Sequence, residues 1–266
     1  MSGPFCPAGQ RRDVEADDAA LLRYSRHILL PEVDLAGQRR IAAARVLVVG
    51  VGGLGSPAAL YLAASGVGRL TLADDDVVEL SNLQRQIVHD SAALGRPKVE
   101  SARDRLAALN PGVELVPLAR RLDGDALAQA IAAHDVVLDC SDNFATRGAV
   151  NRGCVAARVP LVSAAAVRFS GQLMVFDPRR DDSPCYHCLF PDEGEGDDGP
   201  CALFGVFAPL LGVMGSLQAA EALKLILDLP AALGTLTRYD ARSGQFRHSR
   251  VRRDPGCGVC GVGSRE

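Results

Sequence analysis

Apolar positions cluster into short runs separated by stretches of helical period. Arg45-Val46-Leu47-Val48-Val49 is a β-branched run ending in glycines, and Ser56 to Ser65 reads as a helix with an N-cap serine and a proline in its first turn. The same alternation recurs, with strands expected at 70–73, 113–117, 135–139 and 161–165 and helices at 98–110, 125–133 and 144–157. This pattern predicts an α/β fold, a Rossmann-like doubly wound parallel sheet covered on both faces. Val167 to Phe176 follows its predecessor too closely for a helical crossover, so the sheet is expected to continue with antiparallel strands. Residues 178–201 are polar, with an acidic run from Asp192 to Asp198, and predict a mobile surface loop. Val213 to Leu227 reads as a helix, and Thr235 to Tyr239 with Gln245 to Val251 as a hairpin.

Composition narrows the function classes. The 266 residues are 48% hydrophobic and 23% charged, the balance of a chain that folds around its own core. Lys+Arg 29 against Asp+Glu 32 leaves no basic excess, so nucleic acid is not expected as a partner. The charge-free stretch from Gly199 to Ala220 could span a bilayer, but Pro200, Gly205, Pro209, Gly212 and Gly215 interrupt it. A buried helix with an irregular entry is expected there, and no membrane partner. Met1 to Arg12 lacks a secretory core, and the cysteine usage fits a reducing cytoplasm.

Gly50-Val51-Gly52-Gly53-Leu54-Gly55 places a G-x-G-x-x-G turn between a strand and a helix, where a phosphate can approach backbone N–H groups. Asp74, at the end of the second strand, sits where an acid holds ribose hydroxyls. The bland alternative is a tight packing turn. Ser81-Asn82-Leu83-Gln84-Arg85-Gln86 and Lys98 add cations that a triphosphate-splitting enzyme needs around departing diphosphate and a dehydrogenase does not, although either charge alone could be a solvated surface group. Asp142-Asn143 follows the fourth strand, and Asp142 either holds Mg2+, caps the next helix, or does both. Cys185-x-x-Cys188 and Cys257-x-x-Cys260 match a closed structural Zn2+ site of four thiolates better than a redox pair. Cys201 is either a loop nucleophile or an inert thiol, and His187 reads as a loop residue rather than a ligand.

Gly50-x-Gly52-Gly53-x-Gly55, Asp74-x-Asp76, the Ser81 to Gln86 segment, Lys98, Asp142-Asn143 and the paired cysteines together resemble the MoeB/ThiF family, bacterial relatives of ubiquitin-activating enzymes. The resemblance runs from about Tyr24 to Gly261. It implies one adenylation domain over residues 1–266, with a flexible 1–20, a nucleotide-binding part at 45–165, and a remainder at 166–266 holding the antiparallel strands, mobile loop and zinc clamp. It further implies a homodimer that uses ATP and Mg2+ to adenylate the C-terminal Gly-Gly carboxylate of a small ubiquitin-like sulfur carrier. The molybdopterin branch is expected, with the thiazole branch, working through Cys201, as the alternative. By the same resemblance Gly53 and Asp74 hold adenosine, Asn82, Arg85 and Lys98 grip the phosphates, Asp142 binds Mg2+, and Arg26 reaches the opposite subunit's triphosphate. The few residues after Cys260 imply a separate sulfur donor, a cysteine desulfurase or rhodanese. An NAD-dependent oxidoreductase is the distant rival, which leaves Arg85, Lys98 and the cysteines without a use.

Overall fold

The computed structural model describes residues 18–191 and 205–261. One eight-stranded sheet runs through it in the order β3-β2-β1-β4-β5-β6-β7-β8. Its parallel half comprises β1 (Arg45–Val49), β2 (Arg69–Ala73), β3 (Glu114–Leu118), β4 (Val136–Asp139) and β5 (Leu161–Val167). Its antiparallel half adds β6 (Ser170–Phe176), β7 (Thr235–Asp240) and β8 (Gln245–Arg250). The expected α/β architecture, parallel and then antiparallel, is the one observed.

Alternate residues of β1 enter opposite layers, which is why its run is apolar without interruption. Val46 and Val48 pack with helices α4 (Gly55–Ala64), α5 (Lys98–Leu109) and α9 (Ala208–Ile226), while Leu47 and Val49 pack with α6 (Gly124–Ala132) and α7 (Phe144–Ala157). The helix α9 lies against α4 so closely that a Cβ on Gly215 would stand 2.3 Å from the Leu54 carbonyl oxygen. Gly215 is thus a condition for packing this helix, whereas a Cβ on Gly205 or Gly212 would meet nothing within 4 Å, and Pro209 falls in the first turn, where its missing N–H costs nothing. No helix among the described residues is long and apolar enough to cross a membrane.

The sequence expectations shift at four places. Three helices precede β1, namely α1 (Asp18–Arg23), α2 (Ser25–Ile28) and α3 (Asp34–Ala43), and the strand pattern gave no hint of them. Ser56 is not the N-cap of α4; Leu54 takes that position, and the Ser56 hydroxyl lies inside the first turn. The β5–β6 turn falls at Arg168-Phe169, because Arg168 adopts φ +53° without the glycine that would have marked it. Residues 178–191 form a pinned turn rather than a loose loop. The Ser183 hydroxyl accepts the Asp177 N–H at 2.9 Å, Arg179 pairs with the Asp177 carboxylate at 2.7 Å, and Pro184, Cys185 and Tyr186 are buried ahead of the short helix α8 (Tyr186–Leu189). The acidic run and Cys201 lie outside the described residues.

Candidate active site and cysteine cluster

The strand order reverses at β1, whose parallel neighbours are β2 and β4, and ligands of open α/β sheets bind outside the carboxyl ends of strands at such a reversal. A cavity of about 640 Å³ opens at this point, lined by Gly50, Gly52 and Gly53 after β1, Asp74, Asp75 and Asp76 after β2, and Ser141, Asp142 and Asn143 after β4. Ser81, Gln84, Arg85, Gln86 and Lys98 complete its wall.

Gly50 and Gly55 of the turn answer steric demands. Gly50 takes φ +90° beside the Cys140 carbonyl, and a Cβ on Gly55 would meet the Gly50 carbonyl oxygen at 2.0 Å. A Cβ on Gly52 would instead project to 3.4 Å from the Gln86 amide nitrogen, filling part of the cavity. Gly55 therefore serves packing and does not line the cavity, whereas Gly52 and Gly53 do.

The charges are held from behind. Lys98 opens α5 with its side chain buried, and its ammonium donates to Asp76 at 2.7 Å. Asp74 accepts the Val51 N–H at 2.7 Å and the Asp76 N–H at 2.9 Å, so its carboxylate braces the glycine turn. Burial raises the Asp74 pKa, against the opposing pull of Lys98. Half-buried Arg85 donates to the Ser81 carbonyl at 2.9 Å. Asp142 is exposed at the rim and does not cap α7, since the N-cap is Asn143, whose side chain accepts the Thr146 N–H at 2.9 Å. Asn82 is buried and Leu83 half-buried behind the segment; neither lines the cavity. Arg26, on α2, is exposed and outside it as well.

The four cysteines meet at the far side of the sheet. Cys185 Sγ lies 3.9 Å from Cys188 and 3.7 Å from Cys257, and Cys188 lies 3.4 Å from Cys260. Four sulfurs at about 2.3 Å from a tetrahedral Zn2+ are separated by about 3.8 Å, whereas a disulfide needs about 2.05 Å. All four are free thiols. The N–H groups of Cys185 and Asp254 donate to Cys188 Sγ, and that of Val259 to Cys257 Sγ, each at 3.5 Å, as suits sulfur bearing negative charge. The Cys188 thiol is held below its ordinary value, first by its hydrogen bond with Cys185 and then by the Cys185 and Asp254 N–H groups, while Cys185 is pushed up in turn. Arg253 ties the tail to the pinned turn through the Asp181 and Cys260 carbonyls.

The ThiF family is matched over residues 24–259. The chain belongs to the ThiF family. It is 51% identical over 248 residues to molybdopterin-synthase adenylyltransferase of Salmonella typhimurium, covering 93% of this chain and 99% of that one. It is 50% identical over 245 residues to the sulfur carrier protein ThiS adenylyltransferase of Escherichia coli, covering 92% and 97%. A crystal structure of E. coli MccB with ATP matches at a TM-score of 0.73 and 25% identity, covering 84% of this chain and 68% of that one.

For this ThiF-family chain, the residues present fit the groups the family implies. The Gln86 amide oxygen is buried without a hydrogen-bond partner in the wall of the cavity, an acceptor left for a ligand. The cysteine geometry fits Zn2+, and the exposed Asp142 carboxylate is a suitable oxygen ligand for Mg2+ beside phosphate. Several wall residues escaped the sequence reading. Arg120 and Arg121 follow β3, with Arg121 3.8 Å from Asp75, and buried Arg147 on α7 donates to the Ser141 carbonyl at 2.7 Å. The position of Arg120 and Arg121 past a strand's carboxyl end was the available signal; Arg147 looks in sequence like any polar helix residue.

Proposed function

We propose that this chain is an ATP-dependent adenylyltransferase that activates the C-terminal glycine carboxylate of a small ubiquitin-like sulfur carrier, first of all in molybdopterin cofactor biosynthesis. The observation that carries the reading is the convergence of the glycine turn, Arg85, Lys98 and Asp142 on one cavity at the carboxyl edge of the sheet. The carrier carboxylate attacks the α-phosphorus, the bond to the bridging oxygen breaks, and pyrophosphate leaves with that electron pair. A carboxylate is a weak nucleophile meeting an anion, so the protein's contribution is alignment and charge neutralisation. Lys98, held in place by Asp76, and Arg85 neutralise charge on the departing diphosphate, and the Gly52 and Gly53 backbone admits the phosphates. Mg2+ bound by Asp142 would supply further charge neutralisation on the phosphate oxygens.

In this reading the whole chain works as one adenylation unit and the cysteine cluster holds structural Zn2+. The enzyme is a cytoplasmic homodimer in which Arg26, exposed and outside its own cavity, serves the second copy's triphosphate. Sulfur comes from a separate donor protein. The identities of 51% and 50% to enzymes of two pathways are too alike to separate them, which supports the thiazole carrier as a second substrate to test. The experiment is ATP–pyrophosphate exchange with purified Gly-Gly carriers of both pathways, with mass spectrometry for added AMP. Exchange with the molybdopterin carrier supports the proposal in full; exchange with the thiazole carrier alone keeps the reaction and moves the pathway. No exchange with either, from a folded dimer, refutes it.

A further inference from the structure

His89 is a buried titratable side chain to which the reaction above gives no task. Its Nε2 lies 3.0 Å from the Val51 carbonyl oxygen, inside the glycine turn, and its Nδ1 lies 3.0 Å from the Ser101 hydroxyl on α5. A carbonyl only accepts, so Nε2 carries the proton, and bare Nδ1 accepts from Ser101. Burial, with Lys98 nearby, lowers the His89 pKa and favours this neutral form.

The contacts close a ring. Val51 gives its N–H to Asp74, Asp74 accepts the Asp76 N–H, and Asp76 binds the Lys98 ammonium at 2.7 Å. Lys98 and Ser101 stand three residues apart on α5, on one helical face, and Ser101 leads back through His89 to Val51. Val51 is thereby gripped at both its N–H and its C=O. The Val51–Gly52 peptide is trans, so its C=O and N–H point in opposite directions. With the carbonyl drawn back to His89, the Gly52 N–H points away from His89, and Gly52 itself lines the cavity.

We propose that His89 is a positioning residue for nucleotide binding, which aims the Gly52 N–H at the phosphates by holding the Val51 carbonyl. This rests on the adenylation reading and deepens it. The ring also couples the glycine turn to Lys98, so the backbone donor and the ammonium move as one unit.

The test measures ATP affinity by calorimetry on the full chain without carrier, in wild type, His89→Leu, His89→Gln and Ser101→Ala, alongside the KM for carrier. The Gln amide can restore a donor to Val51, which Leu cannot. Losing the donor should weaken ATP binding about tenfold in H89L and about threefold in S101A, while H89Q stays within about threefold of wild type and the carrier KM is unchanged. Unchanged ATP affinity in H89L, or H89Q as weak as H89L, overturns the clamp. Equal losses for ATP and carrier overturn it too, since they report general damage. If H89L does not fold, S101A with wild-type affinity is sufficient to overturn it. Wild type that binds no ATP overturns the nucleotide reading itself, and this inference with it.

Discussion

The cavity and the cysteine cluster are both built from charged or ionisable side chains, yet they are built in opposite ways. At the cavity the charges are braced from behind and open in front: Lys98 is buried on Asp76, Asp74 is committed to backbone N–H groups, and Asp142 is exposed at the rim. At the cluster four sulfurs face one another, all within 4.8 Å, a closed set of four ligands. An open arrangement can spend its charge on a ligand that comes and goes, whereas a closed one spends it on holding the chain together.

The largest effect should therefore be on activity at one end and on folding at the other. Asp142→Ala and Arg85→Ala should each lower the adenylation rate by about 10³-fold or more while melting like wild type, since neither side chain is fully buried. Normal adenylate formation by either variant would remove it from the mechanism. Cys257→Ser should do the reverse, giving substoichiometric zinc by elemental analysis and a lowered melting temperature, with whatever protein stays folded still binding ATP. A metal-free preparation of full stability would break the comparison at its closed end.

A smaller effect is expected from acid. Burial holds His89 and His134 below the ordinary histidine value of 6.5. Around His89 the facing charges are Lys98 and Asp90; around His134 they are Arg45, Asp135 and Arg69. The unfolded chain takes up these protons near 6.5 and the folded chain only lower down, so their contribution is complete above 6.5 and is lost as pH falls toward the folded values. Thermal melts across this window should decline with acid, and His89→Gln should flatten part of the slope; an unchanged slope would discount His89. The smallest effect is expected from Asn143→Ala, which removes the α7 cap and should cost about 1 kcal/mol by denaturant melts.

Much of this was legible because local rules and the final structure agreed. The strands and helices from Arg45 to Ala157 follow from apolar period and from glycine and proline punctuation, and α7 begins and ends where the pattern places it. Elements without such punctuation were misread. Arg168 turns a hairpin in a conformation usually marked by glycine, and Ser56 sits inside a helix whose start is set by the packing of Gly55 against Gly50. Helices α1 to α3 lack a strong apolar face, with no residue of α1 or α2 buried, so nothing periodic announced them.

The site divides in the same manner. Which residue types the proposed chemistry draws on was written in the chain: a glycine turn, an Arg-Lys pair, an acid past a strand end and two Cys-x-x-Cys knuckles, because each motif is short and recognisable by its spacing. Tertiary structure alone decided which of them line the cavity. Gly55, Asn82 and Leu83 are turned into packing, Arg120, Arg121 and Arg147 are brought to the wall, and His89 is set against the carbonyl of Val51. Spacing can state that a residue is near a turn, but the direction of a side chain or a peptide dipole is set by what packs behind it. Those partners arrive from other strands and helices, far away along the chain.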